Sequence, residues 1–119
     1  MRWPTEIPDE TEFTAIPGAV VVDRAPQDGF WRYQFQDPDG VLVRFSFDRF
    51  QRSVQTTLVV GGVEVCTVSQ EGATKIAIQD SAADGKIICE FATSTTRSTL
   101  RLWLAPRIRI LWGTLVDED

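Results

Sequence analysis

The side chains in this sequence that could do chemistry are two cysteines, a scatter of carboxylates, a single tyrosine, and arginines spaced around a tryptophan. Cys66 and Cys89 would have to act as a redox or disulfide pair. A strand, Thr74–Gln79, reads between theirs and sets them about 9–10 Å apart by strand spacing. Bonded cysteines need Cα atoms within about 7 Å. Alternation also turns Cys66 outward and Cys89 inward, so free thiols are expected. Carboxylates would need to share a cleft about 5–10 Å across for glycosidase-like acid–base work. Asp23, Asp28, Asp37, Asp39, Asp48, Asp80 and Asp84 fall mostly at strand ends, where Asp accepts hydrogen bonds from turn backbone. Glu64 and Glu90 are mid-strand, both on outer faces.

No histidine is present. That removes Ser-His-Asp and Cys-His nucleophile pairs, His-based zinc sites and the usual near-neutral acid–base group. Neither a Gly-rich phosphate loop nor a calcium loop of recognised spacing occurs. The chain is therefore expected to have no catalytic residues, no metal and no cofactor, and to work by binding.

The pattern best suited to binding lies near the C-terminus. Even positions from Leu100 to Trp112 are apolar, while odd positions carry Arg101, Trp103, Arg107, Arg109 and Leu111. A three-residue loop pairing Leu104 with Ile108 sets Trp103 opposite Arg109. Such a cation–π pair is worth about 0.5–1 kcal/mol when exposed. A single strand kinked at Pro106 is the alternative; both keep the arginines on one outer side, and the hairpin is preferred. Trp and Arg are the types over-represented in protein-binding hot spots. Arg101, Trp103, Arg107 and Arg109 are thus the candidate partner-binding residues.

The elements that position them follow from alternation and turns. In Phe30–Asp48, a Pro38-Asp39-Gly40 loop closed by a Gly bulge pairs Phe35 with Val43, Tyr33 with Phe45 and Trp31 with Phe47. All the large apolar residues then share one face, whereas a one-residue slip would mix the faces. Gly61-Gly62 joins Val54–Val60 to Val63–Ser69, with Val60, Leu58 and Thr56 facing Val63, Val65 and Thr67. Further strands read at Thr74–Gln79, at Lys86–Thr93 (with Ile87, Cys89 and Phe91 on one face) and at Leu100–Leu115. Val20–Val22 adds a first short strand, and Asp48–Ser53 is a connection anchored by Phe50. The expected fold is all-β, an antiparallel meander of about eight short strands closed as a barrel or folded as a sandwich. One domain covers 1–119: an irregular acidic arm at 1–18, a β body at 19–115 and an acidic tail at 116–119. In the arm, one helical turn after Pro8 is expected, with Trp3, Ile7, Phe13 and Ile16 pinning it to the body.

Twelve Lys and Arg against seventeen Asp and Glu give a net charge of −5. The acidic ends carry that charge and leave the body near neutral, which argues against nucleic acid as a partner. MRWPTEIPDE has no apolar core, so no signal peptide is expected. No run reaches membrane-span length, and a cytoplasmic protein with a protein partner is the expectation.

Two family resemblances attach to these residues. Gly29-Phe30-Trp31 resembles the G-x-W signature of lipocalins, which implies a ligand-carrying barrel with Trp31 closing its base and Arg101 or Arg109 packed across it. The large inward set of Trp31, Tyr33, Phe35, Phe45 and Phe47 suggests a filled core instead. In size, acidity, strand pattern and Arg/Trp stripe the chain resembles the immunity proteins that bacteria pair with polymorphic or contact-delivered toxins. That resemblance implies a cytosolic inhibitor that binds a toxin domain and occludes its active site.

Overall fold

A computed structural model describes residues 7–80 and 85–116. Among the described residues a short helix, α1 (Glu10–Thr14), precedes nine strands. These are β1 (Val20–Ala25), β2 (Phe30–Gln36), β3 (Leu42–Asp48), β4 (Ser53–Val60), β5 (Val63–Glu71), β6 (Ala73–Asp80), β7 (Gly85–Ala92), β8 (Thr96–Trp103) and β9 (Arg109–Val116). Strands β1 to β5 form one antiparallel sheet in sequence order, and β6 to β9 form a second. The fold is a sandwich and not a closed barrel, which corrects the lipocalin-like expectation.

The break between sheets falls at Gly72, which the sequence marks only as a turn. Its φ is +85°, and a Cβ there would lie 2.9 Å from the Ala92 carbonyl oxygen. Ala92 N–H donates to the Gly72 carbonyl at 3.0 Å, while Ala73 N–H donates to Arg52 O, also at 3.0 Å. Held by these bonds, β6 leaves the β5 edge and starts the opposite sheet.

The β2–β3 hairpin has the expected register, with Phe35, Tyr33 and Trp31 facing Val43, Phe45 and Phe47. Asp37 N–H donates to Val41 O at 2.9 Å and Gly40 N–H to Asp37 O at 3.0 Å. Gly40 takes a φ of +82°, as the bulged loop requires. Tyr33, Phe35, Val43 and Phe45 are buried on the inner face, against Ile76, Ile87, Cys89, Phe91, Leu100 and Leu102 of the second sheet. Each fully buried side chain of this size contributes roughly 1.5–3 kcal/mol.

In the β4–β5 hairpin, Val60 faces Val63, but Leu58 faces Cys66 and Thr57 faces Thr67. Val65 is an extra residue on β5, a bulge that shifts every later pair by one position from the expected register. Val60, Val63 and Val65 are consequently exposed, while Val54, Thr56 and Val59 are buried. A second correction concerns Phe50, which is 69% exposed and anchors nothing in the core. The turn is held instead by Asp48, whose Oδ1 accepts from the N–H groups of Phe50 and Gln51 at 3.0 Å each.

The helical turn after Pro8 is α1. Asp9 caps it: its carboxylate accepts from Glu12 N–H at 3.0 Å and Glu12 returns a bond to Asp9 N–H, a reciprocal capping box. The Thr11 hydroxyl, more than any other group, holds the Asp9 carboxyl below its ordinary pKa. Phe13 and Ile16 are fully buried, and Phe13 stacks on Tyr33 with ring centroids 4.4 Å apart. Trp3, Asp84 and the acidic tail 117–119 lie outside the described residues, and Val116 belongs to β9 rather than to the tail.

Candidate functional site

The β8–β9 hairpin has the expected register, but its strands are joined through residues 104–108: Leu104 N–H donates to Gly85 O and Ile108 N–H to Asp37, so these two do not pair with each other. Trp103 faces Arg109, Arg101 faces Leu111, and Leu100 and Leu102 face Trp112 and Ile110. Alternation does the sorting. Leu100, Leu102 and Leu104 are buried, whereas Arg101, Arg109 and Leu111 are exposed on the other side and Trp103 is half-buried there. The Arg109 guanidinium lies over the Trp103 ring, 4.7 Å from its centroid, and Lys86 Nζ lies 5.3 Å from the same centroid. Trp103 is thus flanked by two cations. Arg107 sits in the loop, where its Nε is 3.3 Å from Asp39 Oδ2, an exposed pair of small worth.

The second sheet extends this stripe. Lys86 pairs with Trp103, Ile88 with Arg101, Glu90 with Thr99 and Ala92 with Arg97. On β6, Gln79, Ala77 and Lys75 continue the same rows. Among the described residues the outer face therefore carries Lys75, Lys86, Arg97, Arg101 and Arg109 against the one carboxylate Glu90. Five cations to one carboxylate on one face, in a chain of net charge −5, is strong segregation. Lys75, Lys86 and Arg97 were missed as site candidates, although the alternations Lys75-Ala77-Gln79 and Lys86-Ile88-Glu90 already placed the lysines on an outer face.

Behind this face, polar bonds fix the sheet to its neighbour. Trp112 Nε1–H donates to Thr56 Oγ1 at 3.3 Å, and Gln70 Nε2–H donates to Ser98 Oγ at 2.7 Å. Buried Asp37 joins the two turn regions. Its Oδ1 accepts from Asp39 and Val41 N–H at 2.9 and 3.0 Å, and its Oδ2 accepts from Ile108 N–H at 3.0 Å. The Ile108 bond above all, with those from Val41 and Asp39 and the charge of Arg107, holds the Asp37 carboxyl below its ordinary pKa. The β8–β9 loop that presents Arg107 and Arg109 is thereby tied to the first sheet.

The other chemistry-bearing residues are not brought together. Glu64 lies on β5 and bonds Arg44 Nη1 at 3.0 Å, while Glu90 lies on β7 of the opposite sheet. The cysteines are both free, Cys66 exposed on β5 and Cys89 buried on β7, also in different sheets. Burial pushes the Cys89 thiol pKa up and, as the largest cause, does the same to Tyr33. Among the described residues no group of three or more Cys, Asp or Glu could hold a metal ion, and no helix is long and apolar enough to cross a membrane.

Trp31 does not close a barrel. It stacks on Phe47 at 5.5 Å and helps line an open cleft of about 570 Å³ with Tyr33, Arg24 and Arg49. Arg24 there is paired with Glu10 at 2.7 Å. Arg101 and Arg109 lie on the outer face of the other sheet, so neither packs across Trp31.

No protein-family model and no curated protein sequence matches the chain. Its fold does match a solved structure. It is similar to a chain of the contact-dependent growth inhibition toxin–immunity protein complex from Klebsiella pneumoniae 342, with a TM-score of 0.81. Identity is 20%, over 91% of this chain and 95% of that one. The two chains share a fold. The likeness spans both sheets rather than one hairpin.

Proposed function

We propose that this chain is the immunity partner of a bacterial toxin–immunity pair, a cytoplasmic protein-binding inhibitor that occludes its toxin's active site. The observation that carries the reading is the whole-chain fold likeness to a member of such a complex. Between the two roles in a pair, inhibitor is favoured because the sequence has no histidine and its carboxylates and thiols are dispersed over both sheets.

The contact is the outer face of β6–β9 with the adjoining β8–β9 loop, centred on Arg101, Trp103 and Arg109 of the face and Arg107 of the loop. An aromatic ring between two cations, beside exposed Leu111, combines apolar area with directed charge, the composition of a binding hot spot. The matching toxin surface is acidic, and charge complementarity there mainly speeds association.

The test needs a candidate toxin domain, sought in the reading frames that neighbour this one. Expressed alone, the chain should not slow growth; expressed with that domain, it should protect. In a binding titration, Trp103→Ala combined with Arg109→Ala should lose about 2 kcal/mol or more, while a chain lacking residues 117–119 should bind almost as well as the wild type. Toxicity of the chain alone would reverse the role, and unchanged affinity in the double variant would remove the site.

A further inference from the structure

The outer face of the first sheet carries two adjoining polar rows that are finished differently. Strand pairing aligns Gln34, Arg44, Thr57 and Thr67 across β2–β5 in one row, and Arg32, Ser46, Gln55 and Ser69 in the next. In the first row the polar groups hold one another. The Thr57 and Thr67 hydroxyls lie 3.1 Å apart, and Arg44 reaches Gln34 Oε1 at 3.5 Å and Glu64 Oε2 at 3.0 Å. In the second row the Ser46, Gln55 and Ser69 side chains make no hydrogen bond to any described residue. The Arg32 guanidinium lies over the Phe30 ring instead, 5.3 Å from its centroid. Ser46 is nonetheless only 5% exposed. A hydroxyl buried that deeply nearly always has a partner. Ser46, Gln55 and Ser69 line a concavity of about 190 Å³, together with Phe30, Asp48 and Ser53 of the row beyond. Asp48 spends Oδ1 on the turn N–H groups and leaves Oδ2 without a bond to any described residue. Among the described residues no cation lines the space.

We propose that this concavity is a binding subsite for one neutral hexose ring. Its polar groups work in both directions. A serine hydroxyl donates and accepts, a glutamine amide does both from separate atoms, and the Asp48 carboxylate accepts. A ligand that fits such a set must itself donate and accept at neighbouring positions, as the hydroxyls of a sugar do. An anion would meet the Asp48 carboxylate and no cation in the lining, and a cation would leave the hydroxyls and the amide unused. Phe30 supplies an apolar wall for the C–H side of the ring. The volume falls below the roughly 300–1,000 Å³ of clefts that take drug-sized ligands, which limits the occupant to a single ring. Binding to so small a site is weak, with a Kd of about 1–10 mM. The subsite lies on the opposite sheet from Arg101, Trp103 and Arg109, so the inference does not depend on the proposed function.

The test is an NMR titration of the full chain with the methyl glycosides of glucose, galactose and mannose, each to about 50 mM. At least one should give saturable shifts at the amides of Ser46, Gln55 and Ser69, with those of β6–β9 unmoved. Ser46→Ala should weaken that binding about fivefold or more. It should leave the urea midpoint unchanged or raised, because the folded chain loses no bond of its own. Gln55→Ala gives a second reading of the same loss should the serine variant fail to fold. Glycerol and glucuronate serve as controls for unspecific polyol contact and for anion binding. No saturable shift with any of the hexosides, equal shifts with glycerol, or tighter binding of glucuronate would overturn the proposal. Variants that bind as well as the wild type would overturn it too. A lowered urea midpoint in Ser46→Ala would show that the hydroxyl is bonded within the chain, and would remove the observation on which the subsite rests.

Discussion

Replacing Asp37 should separate the two oxygens of its carboxylate by their structural work. Three backbone N–H groups converge on it: those of Asp39 and Val41 on Oδ1, and that of Ile108, from the opposite hairpin, on Oδ2. Asp37→Ala removes every acceptor. Hydrogen bonds to a charged group are worth about 1.5–3 kcal/mol each, and water entering the space left by the truncated side chain recovers part of that. A net loss of about 3–5 kcal/mol is expected. Asp37→Asn keeps one oxygen for Asp39 and Val41 but turns an NH₂ group toward Ile108 N–H, which sets donor against donor. Its cost should be smaller, about 1–2 kcal/mol. The pH dependence has a fixed sign. The folded carboxyl titrates below its ordinary value of 3.8. Its stabilisation is therefore complete above the unfolded pKa and is lost as pH falls through the folded one. The wild type's advantage over Asp37→Asn should be constant near neutrality and shrink below about pH 4. Urea unfolding followed by circular dichroism measures both, as midpoint shifts at constant slope. An Asn variant as stable as the wild type, or a gap that persists undiminished into acid, would refute the clip between hairpins.

Tyr33 is fully buried and stacked on Phe13; Tyr33→Ala should cost about 3–5 kcal/mol, and a loss under about 0.5 kcal/mol in urea would place the ring at the surface. For the thiols, native alkylation followed by intact mass should label Cys66 alone, because Cys89 is buried and its thiol is held protonated. Denaturation should then expose the second site, and a disulfide mass would contradict both assignments.

Much of this fold is legible in the sequence, because hairpin loops and alternation act over a few residues. Pro38-Asp39-Gly40 admits one register that puts Tyr33, Phe35 and Phe45 on the same face, and that is the register found. The alternation through Leu100–Leu111 likewise places Arg109 against Trp103. What escaped depends on the other sheet. Gly72 reads as a turn wherever β6 goes; the bonds to Arg52 and Ala92 that send it across come from the turn before β4 and the end of β7, each about twenty residues away along the chain. Local sequence does not report the bulge at Val65, since alternation through Val63, Val65 and Thr67 reads as one unbroken face. Phe50 looks like an anchor by type alone, yet the Asp48 carboxylate already holds that turn. For the site, the stripe on β8 and β9 was readable, while its extension to Lys75, Lys86 and Arg97 required knowing which strands lie beside it.

The single glycine joining the sheets has a consequence for how the molecule assembles. Every strand in either sheet pairs with its sequence neighbour, so each sheet can zip up from successive hairpins with only short loops to close. No strand of one half must thread between strands of the other. Strands β1–β5 and β6–β9 each form a complete sheet with one apolar face, and apart from the part of the first that Phe13 covers, each face is hidden against its counterpart. Docking of two nearly formed halves, rather than strand pairing, is then the step on which folding turns. A chain cut at Gly72 should yield two fragments that are insoluble apart and regain structure when mixed.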